Sequence, residues 1–255
     1  MPAGSAAATQ LRAVAGAVAF LTRIPLGRRV RLDGADVARG AVLFPVVGAG
    51  IGAAVGLTAV LMHTLLPGLP AAAVALGVGL ILTGAIHLDG LADTADAVGG
   101  GSRAEALAIM RDHAVGTYGA AALAIDLLVK AGVIAVLLEQ DDAFLALIVA
   151  GALSRAAALP LAYALPYARA DVGPGGVLGG RVSIWSATGG IAIAGAIAAA
   201  VLGDTGGWML GAVGLAIVLL GATYRRWLGG VTGDTLGAAS ELAETLALAV
   251  AAATL

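Results

Sequence analysis

Three carboxylates crowd into His87-Leu88-Asp89-Gly90-Leu91-Ala92-Asp93-Thr94-Ala95-Asp96. Each helical residue turns about 100°, so Asp89, Asp93 and Asp96 fall at about 0°, 40° and −20°, on one narrow edge. Like charges at that spacing destabilise a helix. No Lys or Arg stands three or four residues from any of them to offset this. Something outside the segment must neutralise them. Oxygen ligands on a rigid edge suit a hard cation, and Mg²⁺ typically takes one or two carboxylates plus substrate phosphates. Downstream, Met110-Arg111-Asp112-His113 follows a Gly turn, and a short helix there brings Asp112 back towards the first three. His87 points about 160° away from Asp89 and reads as a packing residue rather than a ligand.

A second group opens the last apolar stretch: Gly229-Gly230-Val231-Thr232-Gly233-Asp234-Thr235-Leu236-Gly237. Gly-rich turns before a helix N-terminus expose backbone N–H groups that hold phosphate. Asp234 is equally suited to a plain helix cap. Glu241 lies two turns and about 10 Å deeper on the same face, with Glu244 close behind. Ionised residues inside a span are costly and commonly face an interior site. Ser154-Arg155 interrupts another apolar run, where Arg155 either snorkels or reaches an anionic substrate. Asp126 and Lys130, spaced i, i+4, read as a structural pair. Arg23, Arg39, Arg103, Arg111 and Arg181 suit phosphate contacts, although anchoring at a membrane face accounts for most of them. Neither a Ser-His-Asp set nor a zinc spacing is present.

The elements that must carry these residues are membrane helices. Of 255 residues, 60% are apolar, 39 are Gly and only 12% are charged. A soluble chain has about 25% charged residues, and this one lacks the polar surface to cover its core in water. Lipid is its solvent. The chain has no Cys, which excludes a disulfide scaffold and thiolate chemistry, and a net charge of −2 gives no nucleic-acid signal. About 20 apolar residues cross a bilayer. Candidate spans are 41–66, 71–88, 114–138, 143–165, 184–202 and 208–228, with a last one from about 234 to 255. Breakers separate them at 67–70, 99–101, 173–176, 203–207 and 229–230. Residues 1–22 do not read as a secretory signal, because no basic cluster precedes the apolar stretch. The expected fold is an all-α polytopic bundle of six to seven spans with an interfacial N-terminal helix. It forms a single domain over 1–255, with an N-terminal interfacial segment at 1–40 and an acidic region at 89–112. The spans are rich in Ala and Gly, which lets helix backbones approach closely.

Alternating sides from an inside N-terminus leaves the outer turns 67–70, 139–142 and 203–207 with no Lys or Arg. The inner segments hold six Arg between residues 12 and 39, including Arg28, Arg29 and Arg31, then Arg103, Arg111, Arg169, Arg181, Arg225 and Arg226. Acids, arginines and a Gly-rich helix start thus meet at one face. That is equipment for a phosphorylated substrate, and the absence of an evident nucleophile favours direct attack by an acceptor hydroxyl.

These residues resemble the cobalamin synthase family, the adenosylcobinamide-GDP ribazoletransferases. The resemblance runs along most of the chain: Phe20-Leu21-Thr22-Arg23-Ile24-Pro25, Arg39-Gly40, Phe44-Pro45, the His87–Asp96 block, Ile109-Met110-Arg111-Asp112 and Gly116-Thr117-Tyr118-Gly119. Ser154-Arg155 and Thr232-Gly233-Asp234-Thr235-Leu236-Gly237-Ala238 with Glu241 complete it. Ala97 departs from the family's usual Gly but stays small. The resemblance implies transfer of cobinamide phosphate from adenosylcobinamide-GDP to α-ribazole or its 5′-phosphate, giving adenosylcobalamin or its phosphate, and GMP. It implies Mg²⁺ held by Asp89, Asp93, Asp96 and Asp112, and catalytic roles among Asp89, Asp93, Asp234 and Glu241. Arg111, Arg155, Gly233 and Thr235 would bind substrate. The protein would sit in the cell (inner) membrane with its site on the cytoplasmic face, without nucleic-acid partners; oligomeric state is left open. Two competing readings are an intramembrane prenyltransferase using Mg²⁺-diphosphate and an ion-coupled secondary transporter. The first expects a second Asp-rich motif and the second expects inverted repeats.

Overall fold

The computed structural model describes residues 3–26, 32–112, 114–169 and 178–255. Arg28, Arg29, Arg31, His113 and the breaker at 173–176 lie outside the described residues. In chain order come α1 (Ala3–Leu21), α2 (Gly34–Gly40), a 3-10 turn (Ala41–Leu43), α3 (Phe44–His63) and α4 (Gly68–Thr83). Then follow α5 (Ile86–Ala97), α6 (Arg103–Ile109), α7 (Thr117–Glu139), α8 (Ala143–Ala164), α9 (Ile184–Leu228) and α10 (Gly233–Thr254). No strand occurs among the described residues, only an isolated parallel bridge between Tyr167 and Val231. Five helical stretches are long and apolar enough to cross a membrane: Gly34–His63, α7, α8, α9 and α10.

Two breaks set the architecture. The stretch expected to run unbroken from 71 to 88 stops at Thr83, and α5 leaves at 93° to α4. Gly84 and Ala85 both adopt the left-handed conformation, with φ of 68° and 57°. For Ala85 this costs about 1–2 kcal/mol. The joint is tied from outside: the Arg23 amide donates to the Leu82 carbonyl at 2.8 Å. With 16 residues, α4 already rises about 24 Å, close to the hydrocarbon thickness. We therefore take α4 as the crossing and α5 as a limb at the end of the bundle, outside the spanning lengths.

The second break divides α9. Its 45 residues would extend about 68 Å if straight. Gly203, at φ 53° and ψ −122°, interrupts it. A Cβ on Gly206 would lie 2.0 Å from the Ala198 carbonyl, whereas those residues would be about 12 Å apart on one straight helix. The two arms fold back on each other, as separate spans over 184–202 and 208–228 require.

Close backbone approach holds the middle together. A Cβ on Gly48 would sit 2.1 Å from the Gly151 carbonyl, and one on Gly52 would sit 2.0 Å from the Leu147 carbonyl. The Gly48-x-x-x-Gly52 spacing thus opens a flat stripe of α3 onto α8, the small-residue seam expected in lipid. The two ends of the bundle differ. Gly68 packs by Ala135 and Glu139, and His63 lies 3.7 Å from Glu139, which brings the turns 67–70 and 139–142 to one end. At the other end the Val231 amide donates to Pro166 at 2.9 Å, and Arg103 donates to the Ala168 carbonyl at 3.2 Å. Arg103 and Arg169 meet the start of α10 at that end.

Candidate active site

Helix α5 crosses the first turns of α10, and Gly90 permits it. A Cβ at Gly90 would lie 2.7 Å from the Asp234 carbonyl and 3.2 Å from its Cα. This contact sets Asp89 and Asp93 beside Asp234. Gly90→Ala is expected to push the two helices apart, lowering stability by about 1–3 kcal/mol and turnover more steeply. Thermal melting in detergent alongside a turnover assay checks it; full activity in a protein of unchanged stability would contradict the crossing.

A cavity of about 600 Å³ opens at this crossing. Its lining carries Asp89, Asp93, Arg111, Tyr167, Arg169 and Asp234 together with apolar side chains that include Phe20, Phe44 and Leu178. Arg169 donates to Asp234 Oδ2 at 2.6 Å and to the Met110 carbonyl at 3.3 Å. The N-cap of α10 is Thr232, which exchanges capping hydrogen bonds with Thr235 (2.8 and 3.2 Å). Asp234 is therefore not needed as the cap, and its carboxylate faces the cavity. Withdrawal from water, reinforced by the Asp234 and Asp89 charges, pushes the Asp93 carboxyl up to about 6, with Arg169 partly opposing. Burial also raises the Tyr167 phenol.

Of the residues expected at the site, Asp89, Asp93, Asp234, Gly233, Arg111 and Arg155 line this cavity. Four others are placed elsewhere. Asp96, expected as a metal ligand, accepts the Gly116 and Gly119 amides at 2.7 and 2.8 Å. It thereby caps α7, whose N-cap residue Gly116 has no side chain to do so. Asp112, also expected as a metal ligand, is exposed and accepts the Ala114 amide at 3.1 Å. Thr235, expected to bind substrate, is buried in the capping box.

Glu241, expected in catalysis, pairs inside the bundle with Lys130. Lys130 also lies 3.4 Å from Asp126 and 3.8 Å from Glu244. The expected Asp126–Lys130 pair is there, as part of a larger network. Arg155 binds Glu244 and donates to Ser154 Oγ at 2.6 Å. Arg155 and His87 border both the large cavity and a smaller one of about 40 Å³ lined by Lys130, Glu241 and Glu244.

Sequence reasoning named Arg169 only as an inner-face cation and did not name Tyr167. Arg169 meets Asp234 across 65 residues of chain, so no local spacing announces the pair. Its place on an inner segment was the one available signal.

The sequence profile of the cobalamin-5-phosphate synthase family matches residues 13–252. The chain belongs to that family. An adenosylcobinamide-GDP ribazoletransferase of Azorhizobium caulinodans is 42% identical over 246 residues, covering 91% of each chain. Proteins of the same name are similar in Shigella boydii (39% over 237 residues; 91% of this chain, 95% of that protein) and Escherichia coli (38% over 236 residues; 91% and 95%). No solved structure matches. Cobalamin-5-phosphate synthase membership makes this chain a transferase of cobalamin assembly, built as an all-α protein with several membrane-spanning helices.

Proposed function

We propose that the chain transfers the cobinamide-phosphate group of adenosylcobinamide-GDP to a hydroxyl of α-ribazole or its 5′-phosphate. A P–O bond forms between the ribazole oxygen and the phosphorus attached to cobinamide. The bond from that phosphorus to the bridging oxygen breaks, and GMP leaves. The observation that carries this reading is a single cavity faced by Asp89, Asp93, Asp234, Arg111 and Arg169. The relatives' names supply the substrates.

Among the described residues no three His, Cys, Asp or Glu side chains converge closely enough to hold a metal alone. That suits Mg²⁺, which takes one or two carboxylates and completes its shell from phosphates and water. Asp89 and Asp93 would hold it. When bound, the ion neutralises charge developing on the phosphates as GMP departs. Arg111 and Arg169 face the same volume and would orient the diphosphate. Asp234, held by Arg169, would accept the proton of the attacking hydroxyl. We place the cavity on the cytoplasmic side of the cell membrane, where basic residues concentrate.

The decisive experiment incubates detergent-purified protein with adenosylcobinamide-GDP, α-ribazole and Mg²⁺ and measures GMP. Release is expected with Mg²⁺, and chelation is expected to stop it reversibly. Metal-independent substrate flux across vesicles, with no GMP, would overturn the reading. Acidity provides a further check. A carboxyl titrating near 6 must lose its proton to bind a cation, so kcat/KM is expected to rise with pH through about 6. The sign for stability is opposite. A raised carboxyl pKa stabilises the ligand-free fold at low pH, and that contribution fades as pH climbs through about 6. Asp93→Asn should flatten the stability profile, which pH-dependent melting would read.

A further inference from the structure

We propose that the apolar part of the cavity lining, built on Phe20 and Phe44, receives the flat aromatic base of the acceptor nucleoside and sets which nucleoside is accepted. This rests on the transfer reading and adds to it the subsite that selects the acceptor. Beside its acids and arginines the cavity lining includes Ala19, Phe20, Leu21, Phe44, Ala158 and Leu178, none of which has a polar side-chain atom. The Phe20 and Phe44 rings stack with centroids 5.6 Å apart and planes 12° from parallel. Phe44 is fully buried and fixes the stack, while Phe20 is half-buried at the cavity. A third flat ring extends such a stack favourably.

Size and chemistry identify the occupant. A cavity of about 600 Å³ encloses one drug-sized ligand. A corrin macrocycle carrying a nucleotide is far larger, so the donor brings only its diphosphate to the acids and arginines. The enclosed ligand is then the acceptor. Ribazole is a riboside of benzimidazole, a planar, uncharged base without amino or carbonyl groups. An apolar lining accommodates it without loss. Adenine or guanine would bury hydrogen-bonding edges there with no partner, which is the stronger kind of discrimination. With the base against Phe20, the ribose shares the cavity with Asp234, which also lines it.

The test compares wild type, Phe20→Ala and Phe20→Tyr in the GMP-release assay, varying each substrate separately. Removing the ring is expected to raise KM for α-ribazole about tenfold, the scale of one base–aromatic stack. KM for adenosylcobinamide-GDP should stay within about twofold, and the kcat/KM preference for α-ribazole over adenosine should shrink. Phe20→Tyr, which keeps the ring, should restore the acceptor KM. An unchanged acceptor KM, or an equal rise for both substrates, overturns the subsite. If wild type itself releases no GMP, the transfer reading fails separately. Calorimetric binding of α-ribazole to wild type and Phe20→Ala then decides the subsite, and equal affinities refute it.

Discussion

Asp89→Asn and Asp93→Asn are each expected to lower GMP release by about 10²–10³-fold, the scale of losing one preorganised charge-stabilising group. The fold should survive. Both side chains face the cavity rather than a neighbouring helix, and Asp93 sits among Asp234, Asp89 and Asp96 charges that oppose its ionisation. Neutralising it removes repulsion, so the melting temperature should hold or rise while activity collapses. Asp96→Ala is the contrasting control. It strips α7 of its borrowed cap and should lower stability by about 0.5–2 kcal/mol. Near-wild-type GMP release in both Asn variants would remove these carboxylates from the chemistry.

The largest stability effect is expected at Lys130. Its ammonium stands among Asp126, Glu241 and Glu244, and its own side chain is buried. Lys130→Met leaves Asp126 and Glu241 without their ammonium while Glu244 keeps Arg155, and breaking a buried ion pair in this way costs about 3–5 kcal/mol. Adding Glu241→Gln should recover part of that loss, because the orphaned charge disappears with its partner. Thermal unfolding of the single and double variants in detergent reads both effects. A Lys130→Met protein as stable as wild type would show that the network carries no net energy.

Much of this was legible in the chain because lipid makes strict demands. A crossing must be a long apolar helix, so the ends of α7, α8 and α10 fall within a few residues of the expected spans. The turn between the arms of α9 was visible in the glycines at 203, 206 and 207. The break at Gly84-Ala85 was hidden, since nothing in an apolar run announces a left-handed alanine; a contact from Arg23 makes the joint. At the site, helical spacing placed Asp89 and Asp93 on one edge, and the alternation of sides put the start of α10 at the same face as these acids. It could not separate Asp96 from its neighbours, because that depends on where the N-terminus of α7 arrives. Glu241 was likewise read from its own helix face, where its pairing with Lys130 on another helix was not legible. Charges distant in sequence pair through packing, and the spacing along one helix does not reveal it.

The bond from the Arg23 amide to the Leu82 carbonyl has a mechanical meaning. Phe20 lies three residues before that junction, and the acidic limb begins just after it, so both linings of the chamber hang from one hinge pin. Loss of that single backbone bond would therefore disturb the aromatic ring and the acidic limb together.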